Sequence, residues 1–580
     1  MCIRLSSKVN VALLKTLSMR YLVASMVVLV VSGFRCHVSL HARRGTRLFA
    51  QKTGWLHAEK SGDGKLPLVS HRIKVPAYAQ KLGDGLRSVV TSHSFDVPLS
   101  YYNQGGGDPA SRIEVHATVV DVLPSSATAS ECLAFLNAHD LGSELAEAYC
   151  KLFKPEKSKS VAFLQGGPGF PSPRPNLSLS FSAGGSSSWA SAAMASGYNK
   201  FILMDQRGTG QSTPVTLQTL KSRFSEELES SPEVVSDYLA NFRADSIVRD
   251  CDFIRKTLLS DAAFDAVLGQ SYGGFCLATY LTSPSLLPPK SSFFTGGLPP
   301  MGITDVAEVY ERLWKRVAKR NELYYKTYPG DIRVVKSIVR HLDSSPSPLP
   351  SGGFLTVDRF LQLGISLGGG PGAFEQLHEL FATAFVSAGG GTDSLQFSTN
   401  FLRQVERSQP FDTNPIYALL HESIYVDGPS VGSSRWAAQR ALEEHNRADG
   451  RFDWRKAIKD DGDDSMVYFY GEMTFPWMFD GCYAELSELK PAAEHLANRD
   501  DWGMLYPNKE GGRIRPGQNS GAAAVYYDDF YVDRNLSLDA IKEGSALQFI
   551  KPFISNEYQH SGLRDDGSKI FKKLEELGKD

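Results

Sequence analysis

The stretch Gly269-Gln270-Ser271-Tyr272-Gly273-Gly274 constrains this chain more than any other. An apolar run, Ala266-Val267-Leu268, leads into it, and a segment with helical spacing of apolar residues follows from Phe275 to Leu281. A buried strand that turns sharply into a helix exposes a side chain at its tip only where the neighbours leave room. Gly269 and Gly273, two before and two after the serine, leave that room. The same turn puts the Tyr272 N–H at a helix N-terminus, where a free donor and the helix dipole face a developing oxyanion. Glycine and serine at this spacing also occur in ordinary turns; the strand before and the helix after distinguish this one. The pattern predicts a nucleophilic Ser271.

The rest of the chain supplies a setting for such a turn. From about residue 70 the pattern is strand-like, in "RSVVTSHSFDVPLSYY" and in "RIEVHATVVDVL" with its alternating apolar positions. "SECLAFLNAHDLGSELAEAYCKLF" and "SDYLANFRADSIVRDCDFIRKTLL" have helical spacing, whereas "SVAFLQGGPGF", "KFILMDQRGTGQS" and "KSSFFTGGLPPMG" begin as short buried strands. Strands alternating with helices imply a mainly parallel sheet covered on both faces. With the serine turn, that is the α/β-hydrolase fold. Helical texture then runs from residue 302 to about 515. It is interrupted by "SSPSPLPSGG", "GISLGGGPG" and "SAGGGTDS", whose composition reads as surface loops or hinges. Strand character returns in "SGAAAVYYDDFYVD" and "ALQFIKPFISNEYQHSG". The expected organisation is a core over 65–301, a helical cap over 302–515 and completion of the core over 516–580.

Residues 1–58 stand apart. They hold nine Lys or Arg, no Asp or Glu, and the apolar run "YLVASMVVLVV". A basic, acid-free leader of this kind reads as a targeting or disordered segment, and the run is short of the roughly 20 residues that span a bilayer. An organelle, plastid or mitochondrion, is the expected destination, with secretion or a cytosolic chain carrying a disordered tail as alternatives. A formal charge of -2 leaves no footprint for nucleic acid. Of seven cysteines, Cys2 and Cys36 fall in the leader. Cys132, Cys150, Cys251, Cys276 and Cys482 remain, an odd set with no zinc-like pairing, expected as free thiols.

A nucleophilic serine needs a base, and the base an orienting carboxylate, in the chain order Ser, acid, His for this fold. Downstream of the late strand "AAAVYYDDFYVD" the chain has a single histidine, His560. Asp529 is the expected acid, chosen over Asp528 and Asp533. The second oxyanion donor should come from the glycine loop of "FLQGGPGF", as the Gly167 N–H with Gly166 next, alongside Tyr272.

Four motifs together resemble the proline iminopeptidase family of α/β-hydrolases. "QGGPG" (165–169) is similar to the family's HGGPG loop, with Gln165 in place of histidine. "DQRGTGQS" (205–212) is similar to its DQRGxGxS signature, "GQSYGG" (269–274) to its elbow, and "GGLPP" (296–300) to the strand end leading into the cap. The resemblance covers roughly residues 90–580. It implies a serine aminopeptidase that cuts peptides with a free N-terminus, preferably after proline, with neither metal nor organic cofactor. It further implies that cap glutamates hold the substrate α-ammonium. Glu472, in "MVYFYGEMTFPWMF", and Glu422, in "YALLHESIYVDG", are the candidates, each with an internal arginine partner as its alternative. Phe475 and Trp477 could wall a proline pocket, or simply pack the core. Asp205 and Arg207 read as structural braces.

Two other readings remain open on these residues: an esterase or lipase-like hydrolase with the same triad, which needs no ammonium-binding carboxylate, and a silent hydrolase fold that binds partners.

Overall fold

In the computed structural model the chain is described over residues 29–31, 34–36, 48–49, 71–81, 87–102, 111–123, 158–175, 188–387, 395–460, 465–508 and 520–579. It divides into two units. Met1–Thr46 contributes one antiparallel pair, Leu29–Val31 with Phe34–Cys36. All else described here belongs to Arg47–Asp580. The leader reading, the helix expected around 130–153 and the "SAGGGTDS" loop lie almost wholly outside the described residues.

Ten strands form one sheet in the second unit: β1 (Leu48–Phe49), β2 (His71–Lys81), β3 (Arg87–Pro98), β4 (Arg112–Leu123), β5 (Ser160–Leu164), β6 (Lys200–Asp205), β7 (Ala266–Gln270), β8 (Ser291–Thr295), β9 (Ser520–Tyr526) and β10 (Lys551–Ser555). Their spatial order is β10-β9-β8-β7-β5-β6-β4-β3-β2-β1. The six from β10 to β6 run parallel, and each pairing beyond β6 is antiparallel. Swapping β5 and β6 in the order, and crossing back through helices, is the α/β-hydrolase arrangement.

Alternation along the central strands explains the two covered faces. Val161, Phe163, Leu203, Leu268 and Ala524 point to one side, where Trp189 of helix Trp189–Ala195 and Ile570, Phe571 and Leu574 of the C-terminal helix Gly567–Lys579 pack on them. Ala162, Leu164, Met204, Val267 and Val525 point to the other, against helices Ala244–Leu259 and Tyr272–Thr282. Each large side chain buried this way contributes about 1.5–3 kcal/mol. Among the described residues no helix is long and apolar enough to cross a membrane.

Between β8 and β9 the described chain is mostly helical, from Ala307–Thr327 to Lys490–Asn498. One buried arginine ties that region to the sheet. Arg243 donates to the carbonyls of Ser423 (3.1 Å), Val426 (3.1 Å) and Gly503 (2.7 Å), and its guanidinium lies 4.5 Å from the Trp502 ring. Arg243 also marks where "SDYLANFRADSIVRD" breaks into two helices, Pro232–Ala240 and Ala244–Leu259, rather than one.

The composition of "GISLGGGPG" misleads. Gln362–Gly368 is a buried 3-10 turn rather than a surface loop. A Cβ on Gly364 would meet the Phe469 side chain at 2.5 Å, and one on Gly368 would meet the Tyr531 ring at 2.5 Å. These two glycines allow close packing, whereas Gly369, Gly370 and Gly372 are partly exposed and Pro371 is exposed, as expected of a surface loop. Cys251, Cys276 and Cys482 are free and buried.

Asp205 and Arg207 brace the loops below β6. Arg207 grips Asp250 with two bonds of 2.7 Å and donates to the carbonyls of Leu99 (2.6 Å), Asn241 (2.8 Å) and Pro98 (3.2 Å). Asp205 accepts from Ser172 N–H and Gln211 N–H, both at 2.9 Å, and pairs with Arg174. Burial by itself raises the Asp205 carboxyl. The His116 imidazole at 3.3 Å and hydrogen bonds from Gln211 and Arg174 outweigh it and hold the group below the usual range. Replacing Arg207 by Ala leaves the buried Asp250 carboxylate without its ion-pair partner, with the Tyr101 hydroxyl alone as a side-chain donor among the described residues. Unfolding free energy should therefore fall by about 3–5 kcal/mol. Chemical denaturation measures it, and wild-type stability in the variant would show that the clamp does not hold these loops.

Candidate active site

Ser271 sits between β7 and helix Tyr272–Thr282 with φ 53° and ψ −127°, a conformation that costs a non-glycine residue about 1–3 kcal/mol. Its neighbours hold it there. Its N–H donates to Thr295 O (3.0 Å), and its carbonyl accepts from Gly274 N–H (2.7 Å). A Cβ on Gly273 would overlap the Leu164 carbonyl, and one on Gly269 would press into the Gly273 backbone. Glycines therefore do more than clear space around the serine; they let two strands and a helix meet on its backbone.

The loop after β5 lies directly on the nucleophile. A Cβ on Gly166 would stand 2.7 Å from Ser271 Cβ and 3.4 Å from its Oγ. Gln206 Nε2 anchors this loop by donating to Gln165 O (2.9 Å). Gly167 follows in the left-handed region at φ 132°. Tyr272 is the first residue of its helix, and its N–H has no acceptor within that helix.

Beyond β9 the chain turns through Asp529. Asp529 Oδ1 accepts the N–H groups of Tyr531 (2.9 Å) and Val532 (3.0 Å), which fix the carboxylate. Its Oδ2 is 2.9 Å and its Oδ1 3.1 Å from His560 Nδ1, with both residues buried. The Tyr531 ring meets the imidazole edge-on at 4.8 Å, and its hydroxyl donates to Ile365 O. The neighbouring acids are placed otherwise. Asp528 is exposed, and Asp533 caps helix Arg534–Ala540 while pairing with Arg316.

Two adjacent glycines join the halves. A Cβ on Gly296 would stand 3.0 Å from His560 Nδ1 and 3.3 Å from Asp529 Oδ2, and one on Gly297 would stand 3.0 Å from Ser271 N. Successive Cα atoms are only 3.8 Å apart, so Gly296-Gly297 brings the serine turn and the His560–Asp529 pair to one place.

Glu472 joins this group from the helical region. Burial pushes its carboxyl up to about 7; the Asp529 carboxylate adds to the rise, while His560 and Arg564 oppose it. Its surface is not fully closed off. Tyr417 approaches it closely enough to lower it, yet the Tyr417 hydroxyl makes no well-formed hydrogen bond. His421 is buried, pushed down to about 3 and therefore neutral, and neither ring nitrogen has a well-formed partner.

Glu422 has a different fate. Its oxygens accept from Ala437 N–H (3.0 Å) and Ala438 N–H (2.9 Å), the first residues of helix Ala437–Ala448. Those bonds, not an arginine, explain how it is buried. Phe475 has no exposed surface and packs against Trp314 and Tyr470. Trp477 stacks on it at 5.4 Å and borders a cavity of about 240 Å3, whose lining includes none of Ser271, His560 and Glu472.

Sequence reasoning missed Tyr417, His421, Tyr531 and Arg564. Tyr417 and His421 carry a readable signal, two polar aromatic residues four apart in the apolar segment "PIYALLH".

The site gathers a serine on a strained turn, a carboxylate-paired imidazole and the glycine loop after β5, with a further carboxylate at hand. No family model matches the sequence. A proline iminopeptidase of Aeromonas sobria is 39% identical over 422 residues, 72% of this chain and 87% of that protein. A proline iminopeptidase of Aspergillus aculeatus is 32% identical over 425 residues, covering 72% and 85%. Among solved structures, esterase E22 aligns with 84% of this chain and 99% of its own at 11% identity and a TM-score of 0.36, too loose a likeness to bear on function. On the two sequence relatives, each matched over most of its length, the chain belongs to the proline iminopeptidase family.

Proposed function

We propose that this protein is a serine aminopeptidase that releases an N-terminal residue, preferably proline, from short peptides. The observation that carries the reading beyond serine hydrolysis is Glu472, a half-buried carboxylate within electrostatic reach of His560 and Asp529 and pushed up to about 7. A substrate ammonium group is the partner that settles that charge, because an ion pair gains strength where water is excluded.

In this mechanism His560 Nε2 takes the Ser271 proton as Oγ attacks the carbonyl of the N-terminal residue. The oxyanion is held by the Tyr272 N–H and an N–H of the Gly166–Gly167 peptide. Asp529, fixed by two backbone donors, keeps His560 Nδ1–H pointing at itself and stabilises the imidazolium. His560 then protonates the departing amine, and water drawn through the same imidazole releases the acyl group. Glu472 receives the ammonium of the N-terminal residue. Glu422 serves the helix it caps. An esterase needs the first three roles and not the last.

Replacing Glu472 by Gln should lower kcat/KM for proline naphthylamide by about 10–100-fold, the worth of a charged hydrogen bond. Nitrophenyl acetate hydrolysis should stay within a few-fold, and equal losses on both substrates would favour the esterase reading. Asp529→Asn should cost about 10⁴ in kcat, as in other serine triads. A fluorophosphonate should label Ser271 in the folded protein; absence of labelling would leave the binding-protein reading.

The pH behaviour has a defined sign. Glu472 is held at about 7 in the folded protein against an ordinary 4.5, so the folded state binds the extra proton between these values. Stability from this group is full below about 4.5 and is lost as pH rises through about 7. The Glu472→Gln protein should therefore melt higher than wild type at pH 8, with the gap closing towards pH 5. Thermal unfolding across that range checks it, and a constant gap would mean Glu472 is not perturbed.

A further inference from the structure

Helix Ala307–Thr327 and the turn that carries Asp529 enclose a cavity of about 550 Å3. Arg312, Lys315, Arg316, Lys319 and Arg320 line it from one helical face, and Arg534 lines it from the start of another helix. The lining contains two carboxylates, Asp528 and Asp533. Asp533 is already taken by Arg316, at 2.8 Å, and by the N–H groups of Asn535 and Leu536. Arg320 donates to Leu367 O (2.8 Å), and Arg534 lies over the Tyr527 ring at 3.8 Å. Arg312, Lys315 and Lys319 make no ion pair within 4.0 Å among the described residues.

A solvated basic stripe on a helix accounts for Lys315 and Lys319 alone. It does not account for cations from two elements facing one another across a concavity, in a chain whose formal charge is -2. Like charges three and four apart on a helix repel, and low-dielectric walls concentrate their field. Leu323 and Tyr527, both about half exposed, and buried Phe530 supply those walls.

We propose that this cavity binds a small, multiply charged oxyanion, a molecule bearing two or more phosphate or carboxylate groups. The guanidinium groups suit paired oxygens, and the two lysines act as mobile point charges. The lining contains none of Ser271, His560 and Glu472, so the site is separate from the hydrolytic one. Arg316 connects the two. Besides Asp533, it donates to Asp529 O (3.2 Å) and Tyr527 O (3.4 Å), so it holds the backbone of the turn that presents Asp529 to His560. An anion that neutralises Arg312 and Lys319 lifts their repulsion from Arg316 and tightens its hold on that turn.

The test uses the full chain carrying Ser271→Ala, so that it is independent of turnover. Tripolyphosphate and citrate are titrated calorimetrically at constant ionic strength. Saturable one-to-one binding is expected, weakened about tenfold or more in Lys315→Gln/Lys319→Gln and in Arg312→Gln. Whichever probe binds tighter identifies phosphate or carboxylate as the ligand chemistry. The amides of Tyr531 and Val532, which donate to Asp529, should exchange hydrogen more slowly with the anion bound. No saturable binding of either probe, or unchanged affinity in both variants, overturns the site. Unchanged exchange at both amides overturns the connection through Arg316.

Discussion

Three pieces of backbone approach one another at Ser271 more closely than any side chain permits, and the geometry of the site follows from that approach. The β5 loop meets the serine at Gly166, the elbow helix meets Leu164 at Gly273, and the segment after β8 meets both the serine and the His560–Asp529 pair at Gly297 and Gly296. A methyl group finds no room at Gly166, Gly273 or Gly297, and at Gly296 it would crowd the imidazole at 3.0 Å. Close approach fixes Ser271 in its strained conformation, and the parallel pairing of β7 with β5 and β8 supplies the binding energy that offsets the strain.

The turn after β9 gathers constraints from all sides. The Tyr526 hydroxyl bonds Thr295 Oγ1 at 2.6 Å, which ties the turn to the β8 end. Tyr531 packs on the imidazole and reaches Ile365, in the glycine-rich segment that also fits against its ring. Arg316 holds the carbonyls, and Asp533 starts the following helix. Asp529 is thus oriented by the sheet, the helical region and its own turn together. This kind of support is what keeps a catalytic carboxylate in register with its histidine.

How much of this the sequence carried depends on how local each cause is. The serine turn is local: glycine spacing, an apolar approach and a helical continuation are all written within about 17 residues. Chain order reduced thirteen histidines to His560, because in this fold the base comes last. The choice among Asp528, Asp529 and Asp533 rests on turn geometry and is not written in three neighbouring acids. Glu422 and Glu472 look alike in sequence, each an acid within an apolar stretch. One meets a helix N-terminus and the other an imidazole, which only the packing of distant segments decides. "GISLGGGPG" reads as a surface loop or hinge for the same reason, since composition does not reveal what presses on a glycine. The cationic face of helix Ala307–Thr327 is plain in the sequence, but its concavity needs Arg534, more than 200 residues away.

Glu472 and Asp529 place two carboxylates within electrostatic reach of one imidazole. The Asp529 charge is felt at Glu472, where it adds to the rise of the carboxyl. A cation lodged beside Glu472 would favour its ionised form and draw the carboxyl back down from about 7. Binding of a charged ligand there would release a proton that a neutral ligand of the same shape would leave in place.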